Sequence, residues 1–169
     1  MAALTLGACF PLPGPGDQAF DIRCPVNGTV SFSDDWHAAR SGGTLHEGND
    51  VFSARWTPNV AVVDGRIVQR TGTRSGTAVW LYGDDGHDYF YAHFQAWEGV
   101  NRTVQAGDVI GYTGNSGDAS GTATHTHFEI HPNGGAAVNP YASLSAACTN
   151  RKTTGVSSAS STEVGTERE

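Results

Sequence analysis

Through the middle of the chain, apolar residues come in short runs and often alternate with polar ones. That is the period-2 pattern of strands rather than the 3.6-residue period of helices. "VAVV" (60–63), Asp64-Gly65 and "RIVQ" (66–69) read as a tight hairpin, because Asp-Gly suits a two-residue turn. "TAVWLYG" (77–83) reads as a strand, turned by "DDG" (84–86) into a second strand, "HDYFYAHF" (87–94). "AGDVIGYTG" (106–114) reads as a turn, a short strand and a glycine-rich loop, and "HTHFEIH" (125–131) as a last central strand. Only 140–147 offers a short helix. The pattern predicts a mainly β protein built on an antiparallel sheet, without internal repeats.

The flanks differ in composition. Residues 1–20 are rich in Pro, Gly and Ala and read as a flexible arm, and 149–169 carry Ser, Thr, Gly and charge and read as a disordered tail. The globular part is then 21–148, and a chain of 169 residues can hold one domain with a real core. No run of eighteen apolar residues occurs, so no transmembrane segment is expected. No Lys or Arg precedes Arg23, so the arm lacks the basic start of a secretory signal. Leu6-Gly7-Ala8-Cys9 resembles a bacterial lipobox; a lipid anchor on Cys9 would require a signal upstream of the first residue.

Charge narrows the partners. Lys and Arg number 10 against 17 Asp and Glu, a net charge of -7. Such a chain lacks the basic surface that nucleic acid requires. Its single lysine, Lys152, lies in the tail, which excludes a biotinyl- or lipoyl-type carrier with a lysine at a hairpin tip. The three cysteines form no CxxC pair, so a cysteine-rich zinc site is not expected. Cys24 and Cys148 fall near the two ends of the globular part. A disulfide there would stabilise by about 4–5 kcal/mol in the chain-entropy model and would imply an oxidising compartment. Two buried free thiols are the alternative.

Four of the seven histidines form a pattern. "HEGND" (46–50) begins like the HExxH of a zinc protease helix, but Gly48-Asn49 makes poor helix and good turn, and Asp50 stands in place of the second His. A turn at Gly48 can still bring His46 and Asp50 to one ion, and both are ordinary zinc ligands. In "HTH", His125 and His127 project from the same strand face. They either both bind metal, or one binds while the other works on substrate. His93 in "YAHF" lies between aromatics, where a lone His is more often packed or surface.

The order HxGxD, YAHF, GYTGNSG, HTHFEI resembles the M23 peptidases, lysostaphin-type zinc endopeptidases that cut peptide cross-bridges in bacterial cell walls. The resemblance runs from about Cys24 to Tyr141, from "CPVNGTVSFSDDW" to "VNPYASL". It implies an antiparallel β-sheet sandwich related to the barrel-sandwich hybrid. It implies one Zn2+ per chain held by His46, Asp50 and His127, with His93 and His125 as the catalytic pair and Glu47 without the role of base. The implied partners are peptidoglycan stem or cross-bridge peptides, and the implied setting is a monomer in an extracytoplasmic compartment. A catalytically silent wall-binding module that activates another hydrolase is the alternative. The three-residue gap between His46 and Asp50 disfavours a D-Ala-D-Ala-type zinc peptidase.

The chain departs from the family's pattern at three positions. Trp56 stands where Gly is common, Asn59 interrupts a usually apolar strand, and Thr126 is a polar middle residue in HxH. Around the site, the glycine-rich stretch 114–121 is expected to form a groove wall, and Tyr89, Tyr91, Trp36 and Trp80 are candidates to line the groove. His37 and Arg40 are candidates to meet substrate carboxylates. His87 and His131 are expected to be structural or exposed.

Overall fold

The computed structural model describes residues 18–149 and is mainly antiparallel β. Eight strands form it: β1 (Asn49–Phe52), β2 (Pro58–Val60), β3 (Gly65–Gly72), β4 (Gly76–Gly83), β5 (Asp88–Trp97), β6 (Arg102–Val104), β7 (Val109–Thr113) and β8 (His125–His131). One short helix, α1 (Tyr141–Ala147), follows the last strand. The main sheet runs β1-β8-β5-β4-β3-β6, and β7 branches from β5 to pair with β2.

The chain 88–131 forms the centre as the alternation of "HDYFYAHF" and "HTHFEIH" predicts. Tyr89, Tyr91, Phe128 and Ile130 are fully buried on one face of β5 and β8, and Phe90, His127 and Glu129 lie on the other. The core fills the space between that buried face and the β2–β7 leaf, with Val60, Ala61, Val62 and Ile110 opposite Leu81, Tyr91 and Phe94. Tyr91 ties the two together: its hydroxyl donates to Val60 O at 3.2 Å and accepts from Val62 N at 3.1 Å. Tyr89 donates to Asp85 Oδ2 at 2.6 Å. Neither tyrosine lines a groove; both are core, because the period of β5 turns them away from the site face.

The expected hairpin 60–63/66–69 does not form. β2 pairs with β7, while β3 pairs with β4 and β6. Asp64 instead fastens neighbouring segments, accepting from Ala106 N at 2.7 Å through its side chain and from Asp84 N at 2.9 Å through its carbonyl. Gly65 is needed for close approach, since a Cβ there would collide with Tyr82 O. The true hairpins are β3–β4, closed across Gly72 and Gly76, and β4–β5 through "DDG".

The segment before β1 joins the core through Phe20, Ile22, Cys24, Val26 and Val30. Cys24 and Cys148 form a disulfide across a separation of 124 residues, joining this segment to the end of α1. Among the described residues no helix is long and apolar enough to cross a membrane. Cys9 and the proposed lipobox lie outside the described residues, as does most of both arms.

Candidate metal centre and cleft

β1 and β8 bring the pieces of "HEGND" and "HTH" side by side, with Asp50 paired to His127 and Phe52 to His125. Ligand atoms of His46, Asp50 and His127 all lie within 4.8 Å of one another. His46 Nε2 is 2.8 Å from His127 Nδ1 and 3.1 Å from Asp50 Oδ1, which is 3.2 Å from His127 Nδ1. Two imidazole nitrogens and a carboxylate oxygen converging in this way are a donor set that fits zinc. Gly48 serves this approach differently from the expected tight turn. A Cβ on Gly48 would meet Phe128 O at 2.5 Å and the His127 ring at 2.8 Å.

The other nitrogen of each imidazole is committed, which sets its tautomer and orientation. His46 Nδ1 donates to Asp35 O at 3.0 Å, and His127 Nε2 donates to Glu129 Oε1 at 2.7 Å. Glu129 also accepts from His131 Nε2 at 2.6 Å, so two imidazoles bracket one carboxylate. Burial alone would raise the Glu129 carboxyl, but these two bonds hold it low, at about 2. Asp50 follows the same logic. Burial opposes its charge, but hydrogen bonds from His127, His46 and Arg40 keep it well below the usual carboxylate range. Burial likewise works against charging His46, yet its contacts with Asp35 and Asp50 raise it to about 9.

His93 and His125 stand next to this cluster. Their ring centroids are 5.0 Å apart, and His93 is 6.0 Å from His127. His93 Nδ1 donates to Ser116 O at 2.9 Å, and His125 Nδ1 donates to Ala123 O at 2.8 Å. In both rings Nε2 remains for the cleft. His93 sits at a register shift in β5 with φ 67, a left-handed conformation that a non-glycine residue holds only under constraint. Its amide donates to Ser75 O at 2.9 Å, which fixes the bulge. Burial lowers the His93 pKa to about 4, helped by the adjacent imidazoles of His125 and His127.

These side chains open on a cleft of about 580 Å³. Leu45, Arg40, Arg74 and Phe90 contribute to its lining, as do Asp118 and Ala119 of the glycine-rich stretch. Arg40 faces inward, donating to Asp50 Oδ2 at 2.6 Å. Glu47 lines the cleft but is exposed.

Of the other expected lining residues, Tyr89 and Tyr91 are core, and Trp36 stacks on His37 at 4.3 Å, outside the cleft. Trp80 is half-buried and supports Phe90 from the side, 4.8 Å away. His87 meets Phe20 edge-on and accepts from Asn133 N, a structural role. His131 packs on Trp80 as well as bonding Glu129.

Sequence reasoning missed Asp35, Glu129, Phe90 and Phe52. Glu129 and Phe90 were within reach of the period-2 rule, since each lies on the site face of a strand already identified. Phe52 is 39% exposed and leans on His125 at 5.3 Å. Asp35 gave no local signal, because it reaches the site from a loop.

Comparison with known proteins agrees with this geometry. Residues 44–140 match the family profile "Peptidase family M23". The DD-carboxypeptidase/endopeptidase Mpg of Neisseria meningitidis serogroup B is 35% identical over 98 residues, 57% of this chain and 22% of that protein. The glycyl-glycine endopeptidase ALE-1 of Staphylococcus capitis is 36% identical over 91 residues, 52% of this chain and 25% of that protein. The chain thus spans about a quarter or less of the length of these relatives. The catalytic domain of lysostaphin from Staphylococcus simulans superposes with a TM-score of 0.57 at 29% identity, covering 69% of this chain and 92% of that domain. The profile covers more than half of the sequence and contains every residue of the cluster and the histidine pair, and the chain belongs to peptidase family M23.

Proposed function

We propose that this chain is a zinc endopeptidase that hydrolyses peptide bonds in the stem or cross-bridge peptides of bacterial peptidoglycan. The observation that carries the reading is the convergence of His46, Asp50 and His127 beside two histidines whose Nε2 atoms are left to an open cleft. His46, Asp50 and His127 would hold one Zn2+, three protein ligands being the pattern of catalytic rather than structural sites. Zinc in that position supplies Lewis acidity toward a peptide carbonyl and toward water.

The protein's own groups do the rest. His93 is neutral at neutral pH, because burial keeps its pKa low, so its Nε2 is a proton acceptor. Its Nδ1–H is anchored on Ser116, which holds the ring in place while Nε2 takes a proton and returns it to the leaving amine nitrogen. His125, anchored on Ala123, presents its Nε2 from the neighbouring strand, placed to meet the carbonyl oxygen on which negative charge develops. Glu129 and Asp35 orient the ligand imidazoles.

The unit that carries this function is 21–148, and the Cys24–Cys148 disulfide fits an extracytoplasmic setting. The similar proteins name two kinds of bond, glycyl-glycine and DD-peptide. The deciding experiment measures zinc per chain and released amino termini from a glycine-bridged wall and a directly cross-linked wall. One zinc with new amino termini is expected, and the wall that dissolves names the bond. Zinc-loaded protein that cleaves neither wall would overturn the endopeptidase reading in favour of a silent module.

A further inference from the structure

Trp56 is the most exposed aromatic among the described residues, at 54%, and it has φ 68. A bulky side chain in the left-handed region is strained, and the surrounding structure must over-determine it. Here the determinants are visible. Trp56 N donates to Thr113 O and Thr113 N donates to Thr57 O, both at 2.9 Å. Beneath them Thr113 Oγ1 takes bonds from Ser53 Oγ and Asn59 Nδ2, both at 2.9 Å, while Thr126 Oγ1 donates to Asn59 Oδ1 at 2.8 Å. Asn59, Thr113 and Thr126 are fully buried. The three departures from the family's pattern, Trp56, Asn59 and Thr126, are therefore one connected feature with Thr113 as its hub. A buried polar network clamps the loop that displays an exposed indole.

The surface around that indole has a definite chemistry. Trp56 meets Tyr112 at 5.9 Å and 58°, and the Tyr112 hydroxyl is fixed on Glu98 Oε2 at 2.6 Å. Next to Trp56, Arg55 bonds the side-chain amides of Gln95 and Asn115. Aromatic faces edged by amides suit the C–H faces and hydroxyls of a neutral sugar, and the net charge of -7 disfavours a polyanion. The surface also continues toward the cleft. Asn115 precedes Ser116, which anchors His93, and the neighbouring Gly114 O accepts from His125 N at 3.0 Å.

We propose that Trp56 and Tyr112 form a saccharide subsite beside the cleft, taking an N-acetylated amino-sugar ring of the glycan strand that carries the substrate peptide. The proposal rests on the peptidoglycan reading above. A peptide in the cleft remains joined to its glycan, and each extended stem residue spans only about 3.3–3.6 Å, so the sugar stays near the rim.

The test titrates the zinc-loaded protein, Trp56→Gly and Tyr112→Leu with a peptide-free tetramer of β-1,4-linked N-acetylglucosamine, followed by calorimetry and by the indole N–H signals. Glycine relieves the strain at φ 68, so Trp56→Gly is expected to melt no lower than the parent, and Tyr112→Leu removes the second ring independently. Saturable binding by the parent, weakened about tenfold or more in both variants, is the expected result. No saturable binding by the parent, or equal binding by the variants, would overturn the subsite. In hydrolysis assays Trp56→Gly is expected to raise KM for a glycan-linked peptide about fivefold relative to the same peptide freed of sugar. An equal rise on both would assign Trp56 to the peptide and overturn the proposal. Sugar binding needs no turnover: binding without cleavage would sink only the peptidase reading, and cleavage without binding only the subsite.

Discussion

The two halves of the candidate site are built differently. His125, His127 and Glu129 stand on β8, a strand inside the main sheet, and the ladder with β5 and β1 sets their positions. His46 and Asp50 come from a segment that is strand only from Asn49 onward; backbone bonds from His37 N and to Ala38 O pin His46, and side chains add to them. Asp35 accepts from His46 Nδ1 through its carbonyl, and its carboxylate accepts from Asn49 Nδ2 at 2.5 Å and lies 3.4 Å from Asp50 N. Arg40 completes the arrangement by holding Asp50 Oδ2. The strand half reaches one face through ladder geometry, whereas the half that begins in a loop adds dedicated polar partners to its backbone bonds.

The largest effect should come from the strand half. His125→Ala is expected to lower kcat by about 10²–10⁴-fold, the range for a group that handles protons or charge in the transition state, while zinc content stays at one per chain. A fully active, zinc-loaded variant would remove His125 from the chemistry and leave the strand half with binding alone. A smaller contrast follows between the two orienting carboxylates. Glu129→Gln and Asp35→Ala should each weaken zinc by about 10–100-fold in chelator competition, because the first removes the charge facing His127 Nε2 and the second removes the carboxylate 3.3 Å from His46 Nδ1. Asp35→Ala should cost more, since the same side chain also holds Asn49 and Asp50. A greater loss from Glu129→Gln would invert the comparison and make the strand ladder insufficient by itself.

This difference also marks what was legible in the sequence. β8 matches "HTHFEIH" residue for residue, and α1 falls inside the expected 140–147, because alternation and a short apolar helix are local signals. The hairpin that the sequence predicts at Asp64-Gly65 does not form, for the opposite reason. Asp-Gly is a local turn signal, but the partner of 58–60 is β7, chosen by burial of Val60 and Ile110 rather than by the turn. Convergence of His46, Asp50 and His127 was expected from family resemblance and is seen as geometry. Asp35 and the inward aim of Arg40 were hidden, because a loop residue's reach depends on a path that no period encodes. Asn59 and Thr126 are far apart in sequence, and each accounts for the other through a 2.8 Å bond.

That pair gives the next smaller prediction. Thr126→Val removes a donor from fully buried Asn59 and should cost about 1–3 kcal/mol in denaturant unfolding. The double substitution Asn59→Val with Thr126→Val should cost less than the sum of the singles, because contacting polar partners are coupled. Additive losses would show that the strand half does not depend on what lies beneath it.

Glu47 provides the smallest expected change and the sharpest check on the division of labour. It lies between the ligand His46 and Gly48, lines the cleft and is exposed to solvent. In a helical zinc protease the residue at this place would be the base. Here the chain is extended from Asn49, and the nitrogens aimed at the cleft belong to His93 and His125. Glu47→Gln should therefore leave turnover within about twofold of the parent, with zinc unchanged. A collapse of turnover with zinc intact would move the proton chemistry from the strands to the loop. His93, for all the constraint on its backbone, would then be left to position the substrate rather than react with it.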